Sequence, residues 1–222
     1  MRGRNGPRPA LAGSRGDGLR AQRWGLDQIH ADAAWKVTQG KGVIVAVLDT
    51  GVDAKHPDFQ GRVLPGIDLL DAHGHADTDT EGHGTGIASI IAAGRGNGGM
   101  IGVAPQATIL PIRVLHGTTS NDVLAKAIDL AVSRHASVIS ISIGLIAPVE
   151  PAIEATGAEN QIQAAVDRAY ARGVVTAAAA GNNRGPWVAD PAPMHHVFGV
   201  GGVAGHRHPR HSTQADLAHP VP

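Results

Sequence analysis

Residues 43–51 read VIVAVLDTG: six apolar residues in a row, then Asp49, Thr50 and Gly51. A short apolar run rich in β-branched residues and closed by a glycine predicts a strand buried on both faces, Val43–Leu48, as in a parallel sheet with helices on each side. The same kind of run recurs downstream, alternating with helical periodicity. His83–Ala93 places Ile87, Ile90 and Ile91 at helical spacing, and the glycine-rich stretch 94–99 ends that helix. Ala107–Leu115 reads as a strand, although Pro111 has no N–H for a ladder and points to an edge position or a bulge. Ser120 or Asn121 caps a helix running to about His135, with a stripe of Val123, Leu124, Ala127, Ile128, Ala131 and Val132. Strand Ser137–Ile143, helix Glu159–Arg172 ended by Gly173, and strands Val174–Ala180 and Val197–Val203 complete the series. The predicted fold class is α/β, one parallel sheet with helices on both faces.

The chain's 222 residues, 42% of them apolar, suit one domain with a sizeable core. Residues 1–23 hold six arginines against one aspartate, several glycines and prolines, and no apolar core of a signal peptide. They read as a disordered basic leader, with the domain proper over 24–222. Nineteen basic and nineteen acidic side chains give a formal charge of zero, so nothing in the balance favours nucleic acid or anionic lipid as a partner. Without cysteine there are no disulfides and no thiolate metal sites. No stretch approaches the roughly 20 apolar residues that span a bilayer. No glycine-rich phosphate loop follows the first strand, which argues against a nucleotide-binding α/β domain.

Asp49 stands at the carboxyl end of the first strand, where open α/β sheets place ligand-handling side chains. Alone, it reads equally well as a turn former. His83, 34 residues further on, changes that balance. It is enclosed as Gly82-His83-Gly84-Thr85 at a helix start, where the helix fixes the ring and glycines permit close backbone approach. A third segment, Ala179-Ala180-Gly181-Asn182, sets an amide beyond another buried strand, able to donate to developing negative charge. A plain turn asparagine would read the same. Asp71, Asp77, Asp79 and Glu81, ahead of His83, read as a solvated acidic loop. His206, His208 and His211 have metal-binding side chains, but with no second shell in view they read as polar tail, and no metal site is assigned.

LDTGVDAKHPDF, EGHGTGIASIIA, GVAPQATILPIRVL, VISISIG and VVTAAAAGNN, in this order and spacing, resemble successive blocks of the subtilisin-like (S8) serine proteases. The resemblance runs from about Trp24 to the end. WGLDQIHADAAWKVTQGKGV, before the first strand, is most similar to actinobacterial mycosin-like and other bacterial secreted subtilases. It implies a subtilisin-like fold and a serine endopeptidase working through an acyl-enzyme. Asp49 is then the triad acid, His83 the general base and Asn182 the oxyanion donor, with Ser142, Ile143 and Gly144 on the strand lining the primary specificity pocket. Substrates would be peptides or proteins, bound extended. The family implies secretion or display at the cell surface, against which stands the absence of a visible signal peptide. Asp58, in HPDF, matches a position that ligates calcium in many members, and stretch 94–99 takes the place of their calcium loop; only Asn97 there could add a ligand, so calcium stays open.

One family block is missing. The nucleophile lies in a Gly-Thr-Ser-Met-Ala type segment at the start of a late helix, and none occurs in these 222 residues. Ser212, in RHSTQAD, lacks the flanking glycine and the following apolar helix. The expectation is a domain incomplete at its C-terminus, truncated before the serine, exposing apolar surface and showing negligible proteolysis alone, since losing the nucleophile costs about 10⁶ in kcat. The alternative is a non-catalytic pseudoprotease module that binds extended peptides without cutting them.

Overall fold

The computed structural model describes residues 24–95, 100–144, 157–182 and 188–202. The predicted leader 1–23, Asn97, the histidines at 206, 208 and 211, and Ser212 lie outside the described residues. Two short helices, α1 (Trp24–Gln28) and α2 (Ala31–Ala34), precede β1 (Ile44–Asp49). Then come β2 (Ile67–Asp68), α3 (His83–Ala92), β3 (Thr108–Arg113), α4 (Asn121–Ser133), β4 (Val138–Ile141), α5 (Gly157–Ala171), β5 (Val175–Ala179) and β6 (Val197–Val200). The strands form one sheet in the order β2-β3-β1-β4-β5-β6, and every pairing is parallel. All carboxyl ends therefore share one edge.

Successive strand residues face opposite ways, and the core divides accordingly. Ala46, Leu48, Leu110, Ile112, Ile139 and Ile141 pack with Leu124, Ala127, Ile128 and Ala131 of α4 and Ile162, Ala165, Val166 and Ala169 of α5. On the opposite face Val45, Val47 and Ile109 meet Ala88 and Ala92 of α3, together with Val52 and Phe59. Ser120 caps α4 by accepting from the Val123 N–H at 3.3 Å. Gly173, at φ 73°, closes α5 as expected.

Two expectations need correction. Pro111 is neither at an edge nor in a bulge: β3 lies between β2 and β1, and its register with β1 is unbroken from Thr108 to Arg113. Ile109, two residues earlier and so pointing the same way, bonds to Arg62 and Leu64. The missing Pro111 N–H thus faces β2, whose ladder to β3 begins only at Ile67. In α3, Ile90 is 51% exposed, and the buried positions are Gly84, Ala88, Ser89 and Ala92. The helix lies too close to the sheet for large side chains, which are pushed to its flanks.

Register puts Val175, Ala177, Ala179, Phe198 and Val200 on the α3 side of the sheet, since Val175 pairs with Val138 and Val138 with Val45. No described helix covers that side of β5 and β6, and Val175, Phe198 and Val200 are 44%, 51% and 56% exposed. No described helix is long and apolar enough to cross a membrane. Phe198→Ser is expected to shift stability by no more than about 0.5 kcal/mol while lowering binding of the apolar dye ANS. Ile139→Ala, in the closed half of the core, should cost about 2–5 kcal/mol in a urea titration.

Candidate active site

Asp49 is the last residue of β1 rather than the residue after it, and its side chain is wholly buried. Its Oδ1 accepts from the Thr50 N–H at 2.8 Å and lies 2.7 Å from Nδ1 of His83. With a carboxylate as partner, Nδ1 carries the proton and Nε2 is left on the far side of a ring that is 50% exposed. Oδ2 of Asp49 is buried without a hydrogen-bond partner, so Oδ1 carries both bonds. The contact requires Gly84. A Cβ at that position would run into the Gly51 carbonyl and press on Asp49 Cβ at 3.1 Å.

His83 opens α3, but the residue before it, Gly82, has no side chain to cap the helix. Asp79 does so from a distance. Its Oδ1 accepts from Gly82 N, Glu81 N and Thr50 Oγ1 at 2.9, 3.1 and 3.0 Å. Its Oδ2 accepts from Thr85 N and Thr85 Oγ1 at 2.9 and 2.6 Å. Thr50 Oγ1 in turn accepts from Gly84 N at 3.0 Å. The acidic loop is therefore only partly the solvated surface expected: Asp71 and Glu81 are exposed, whereas Asp77 and Asp79 are half-buried. Burial pushes the Asp79 carboxyl upward, but bonds from Thr85, Gly82 and Thr50 outweigh it and hold the carboxyl below its ordinary value.

A second anchor lies at the end of β3. The Arg113 guanidinium pairs with Asp68, donates to the Thr78 carbonyl, and through Nε donates to the Thr50 carbonyl at 2.8 Å. Asp68 is likewise held below the usual carboxylate range: burial raises it, but the Leu70 and Asp71 N–H groups and Arg113 together win. Sequence reasoning missed Asp79, Thr50 and Arg113. The detectable signal was a carboxylate just ahead of a helix start that has glycine at its cap.

The other predicted residues share the edge, with no hydrogen bond to the pair among the described residues. Ser142, Ile143 and Gly144 follow β4, next to β1, and Asn182 follows β5, one strand further. No hydrogen bond joins Asn182, which is exposed in a bend, to Asp49 or His83. Ser142 is half-buried and Gly144 exposed, whereas the Ile143 side chain belongs to the core, leaving only its backbone for a pocket. Gly144 and Gly181 both face Ala189, so the two turns are neighbours. Asp58 is buried, and its carboxylate lies 3.9 Å from Nδ1 of His56. The Asp58 backbone carbonyl accepts from Gly94 N at 2.7 Å, and the Arg62 guanidinium reaches the Asp58, Ala92 and Ala107 carbonyls. Arg62 thus holds those carbonyl oxygens, Asn97 lies outside the described residues, and no group of three metal-ligating side chains occurs among the described ones.

Residues 40–219 match the profile of the subtilase family, Peptidase S8. The thermophilic serine proteinase of Bacillus sp. (strain AK1) is 38% identical over 185 residues, covering 82% of this chain and 43% of the relative. Thermitase of Thermoactinomyces vulgaris is 37% identical over 165 residues, 73% of this chain and 55% of its own. The chain thus spans about half the length of these relatives. Among solved structures, MycP1 with its N-terminal propeptide removed superposes with a TM-score of 0.76 at 28% identity, over 88% of this chain and 67% of the other. The protease domain of PatA gives 0.67 at 31% identity, over 79% and 63%.

Both depressed carboxyls add to stability against acid. Their contribution is complete above the ordinary carboxylate value of 3.8 and is lost as pH falls through the lower folded-state values. Asp68→Asn leaves Arg113 without its counter-charge. Urea titrations at several pH values should show a loss of about 3–5 kcal/mol at neutral pH and a shallower decline in acid.

Proposed function

This chain belongs to the subtilase family, and on that premise we propose that Asp49 and His83 are the acid and general base of a serine endopeptidase. The supporting observation is the 2.7 Å contact between Asp49 Oδ1 and His83 Nδ1 at the carboxyl edge of the sheet. Asp49 holds the ring in the Nδ1–H tautomer and balances the imidazolium that forms. Nε2 takes the proton from a serine hydroxyl as its oxygen attacks the peptide carbonyl, then returns it to the leaving amine. Asn182 donates to the oxyanion, a role whose loss costs about 10²–10³ in kcat. Ser142 and Gly144, with the Ile143 backbone, line the pocket for the residue preceding the scissile bond, and the substrate is a peptide or protein in extended form.

No segment of the nucleophile's type occurs in the 222 residues, so this polypeptide alone holds the acid–base half of the site and does not complete the reaction. A fluorophosphonate probe is expected to leave this polypeptide unlabelled. Strong labelling that disappears in Asp49→Asn would identify a nucleophile within these residues and overturn the incomplete-site reading. A Gly-Thr-Ser-Met-Ala coding segment downstream of codon 222 would identify the serine's source. Calorimetric binding of an extended peptide by the unlabelled chain would instead favour the pseudoprotease module.

A further inference from the structure

His83 is gripped through the residue on each side of it. The Gly82 N–H donates to Asp79 Oδ1 at 2.9 Å, and the Gly84 N–H donates to Thr50 Oγ1 at 3.0 Å. The Thr50 hydroxyl spends its own proton on Asp79 Oδ1 at 3.0 Å, so both grips end on one carboxylate. Thr50 is also the residue whose N–H binds Asp49 Oδ1 at 2.8 Å. Asp79 Oδ2 fastens the next residue of the helix, Thr85, through both its N–H and its hydroxyl. Thr85 Oγ1 in turn accepts from Asp53 N at 3.0 Å and ties in the loop beyond β1.

Five donors thus converge on Asp79 from the two segments that carry Asp49 and His83. An ordinary helix cap binds one or two N–H groups of its own helix. Asp79 binds across elements, and the strand-end hydroxyl it holds is the one that anchors the peptide following the histidine. We propose that Asp79 is a positioning residue for the acid–base pair: it fixes the approach of α3 to β1 and thereby the ring orientation that keeps the proton of His83 on Nδ1. This rests on reading Asp49 and His83 as that pair. Asp79 reaches no substrate and acts only through Thr50 and the first turn of α3.

The ring tautomer separates positioning from plain stabilisation, because a cap that merely strengthens the fold leaves it unchanged. Long-range ¹H–¹⁵N correlation spectra of the intact chain, recorded above the pH at which the ring titrates, read the Nδ1–H to Nε2–H ratio of His83 directly. Nδ1–H is expected to dominate in the wild type. In Asp79→Ala the ratio should fall by about tenfold, the worth of one net hydrogen bond. Asp79→Asn, which keeps an acceptor for Thr50 and Gly82 but turns an amide toward Thr85, should lie between. Ile128→Val, a core change in α4 that loosens the fold without touching the network, should leave the ratio alone.

An unchanged ratio in folded Asp79→Ala and Asp79→Asn, with the ratio lost in Asp49→Asn, would overturn the positioning role and leave the pair standing. A drop in Ile128→Val equal to that in Asp79→Ala would reduce the effect to general stability and overturn it too. Absence of the Nδ1–H form in the wild type would remove the acid–base pair itself, and the proposal with it.

Discussion

The first turn of α3 must rest directly on the backbone that ends β1, and the site depends on that approach. His83 reaches Asp49 only because Gly84 presents no Cβ to the Gly51 carbonyl. The constraint continues along the helix. Gly84, Ala88 and Ala92 recur every four residues and form its buried face. Closeness, rather than bulk, is what this face supplies. Large apolar side chains fill the space around it: Val45, Val47 and Ile109 from the sheet, with Val52 and Phe59 from the following loop. A ring orientation set by packed backbone survives thermal motion better than one set by a flexible side chain.

Most of the architecture was legible because buried parallel strands announce themselves as apolar runs, and β1, β3, β4 and β5 all do so in this chain. Asp49 and His83 were legible for a related reason: Gly51 follows Asp49 by two residues and Gly82 and Gly84 flank His83, and an acid and an imidazole so placed at element ends is a rare arrangement. Pro111 misled because the rule about proline concerns an unpaired N–H, and the sequence does not show that the neighbouring ladder is interrupted where that N–H would point. Ile90 misled because helical periodicity marks apolar positions without saying how near the sheet lies. Asp79 was invisible for a third reason. A carboxylate among Asp71, Asp77 and Glu81 looks like solvated charge until folding brings Thr50 to it from 29 residues away.

Charge around the pair is arranged so that little is left uncompensated. Arg113 neutralises Asp68 and simultaneously holds the Thr50 carbonyl, while Asp79 holds the Thr50 hydroxyl. Thr50 is therefore clamped at its carbonyl, its hydroxyl and its N–H, which leaves its neighbour Asp49 no freedom to swing. Burying two carboxylates near the site is tolerable only because each gathers several donors. Those donors lie on different elements, so the polar network ties together the same elements that the apolar packing brings near.

The two halves of the candidate site differ in support. Asp49 and His83 lie at the end of the sheet where α3 covers one face and α4 with α5 the other, so their geometry is complete within the described residues. Asn182 and Gly144 lie at the ends of β5 and β4, and the α3-side face of β5 and β6 presents Val175, Phe198 and Val200 to solvent. A strand packed on a single face holds its turns less firmly than one packed on both. The Asp49–His83 contact thus needs no cover on β5 and β6, whereas the turn that carries Asn182 ends a strand with one face open.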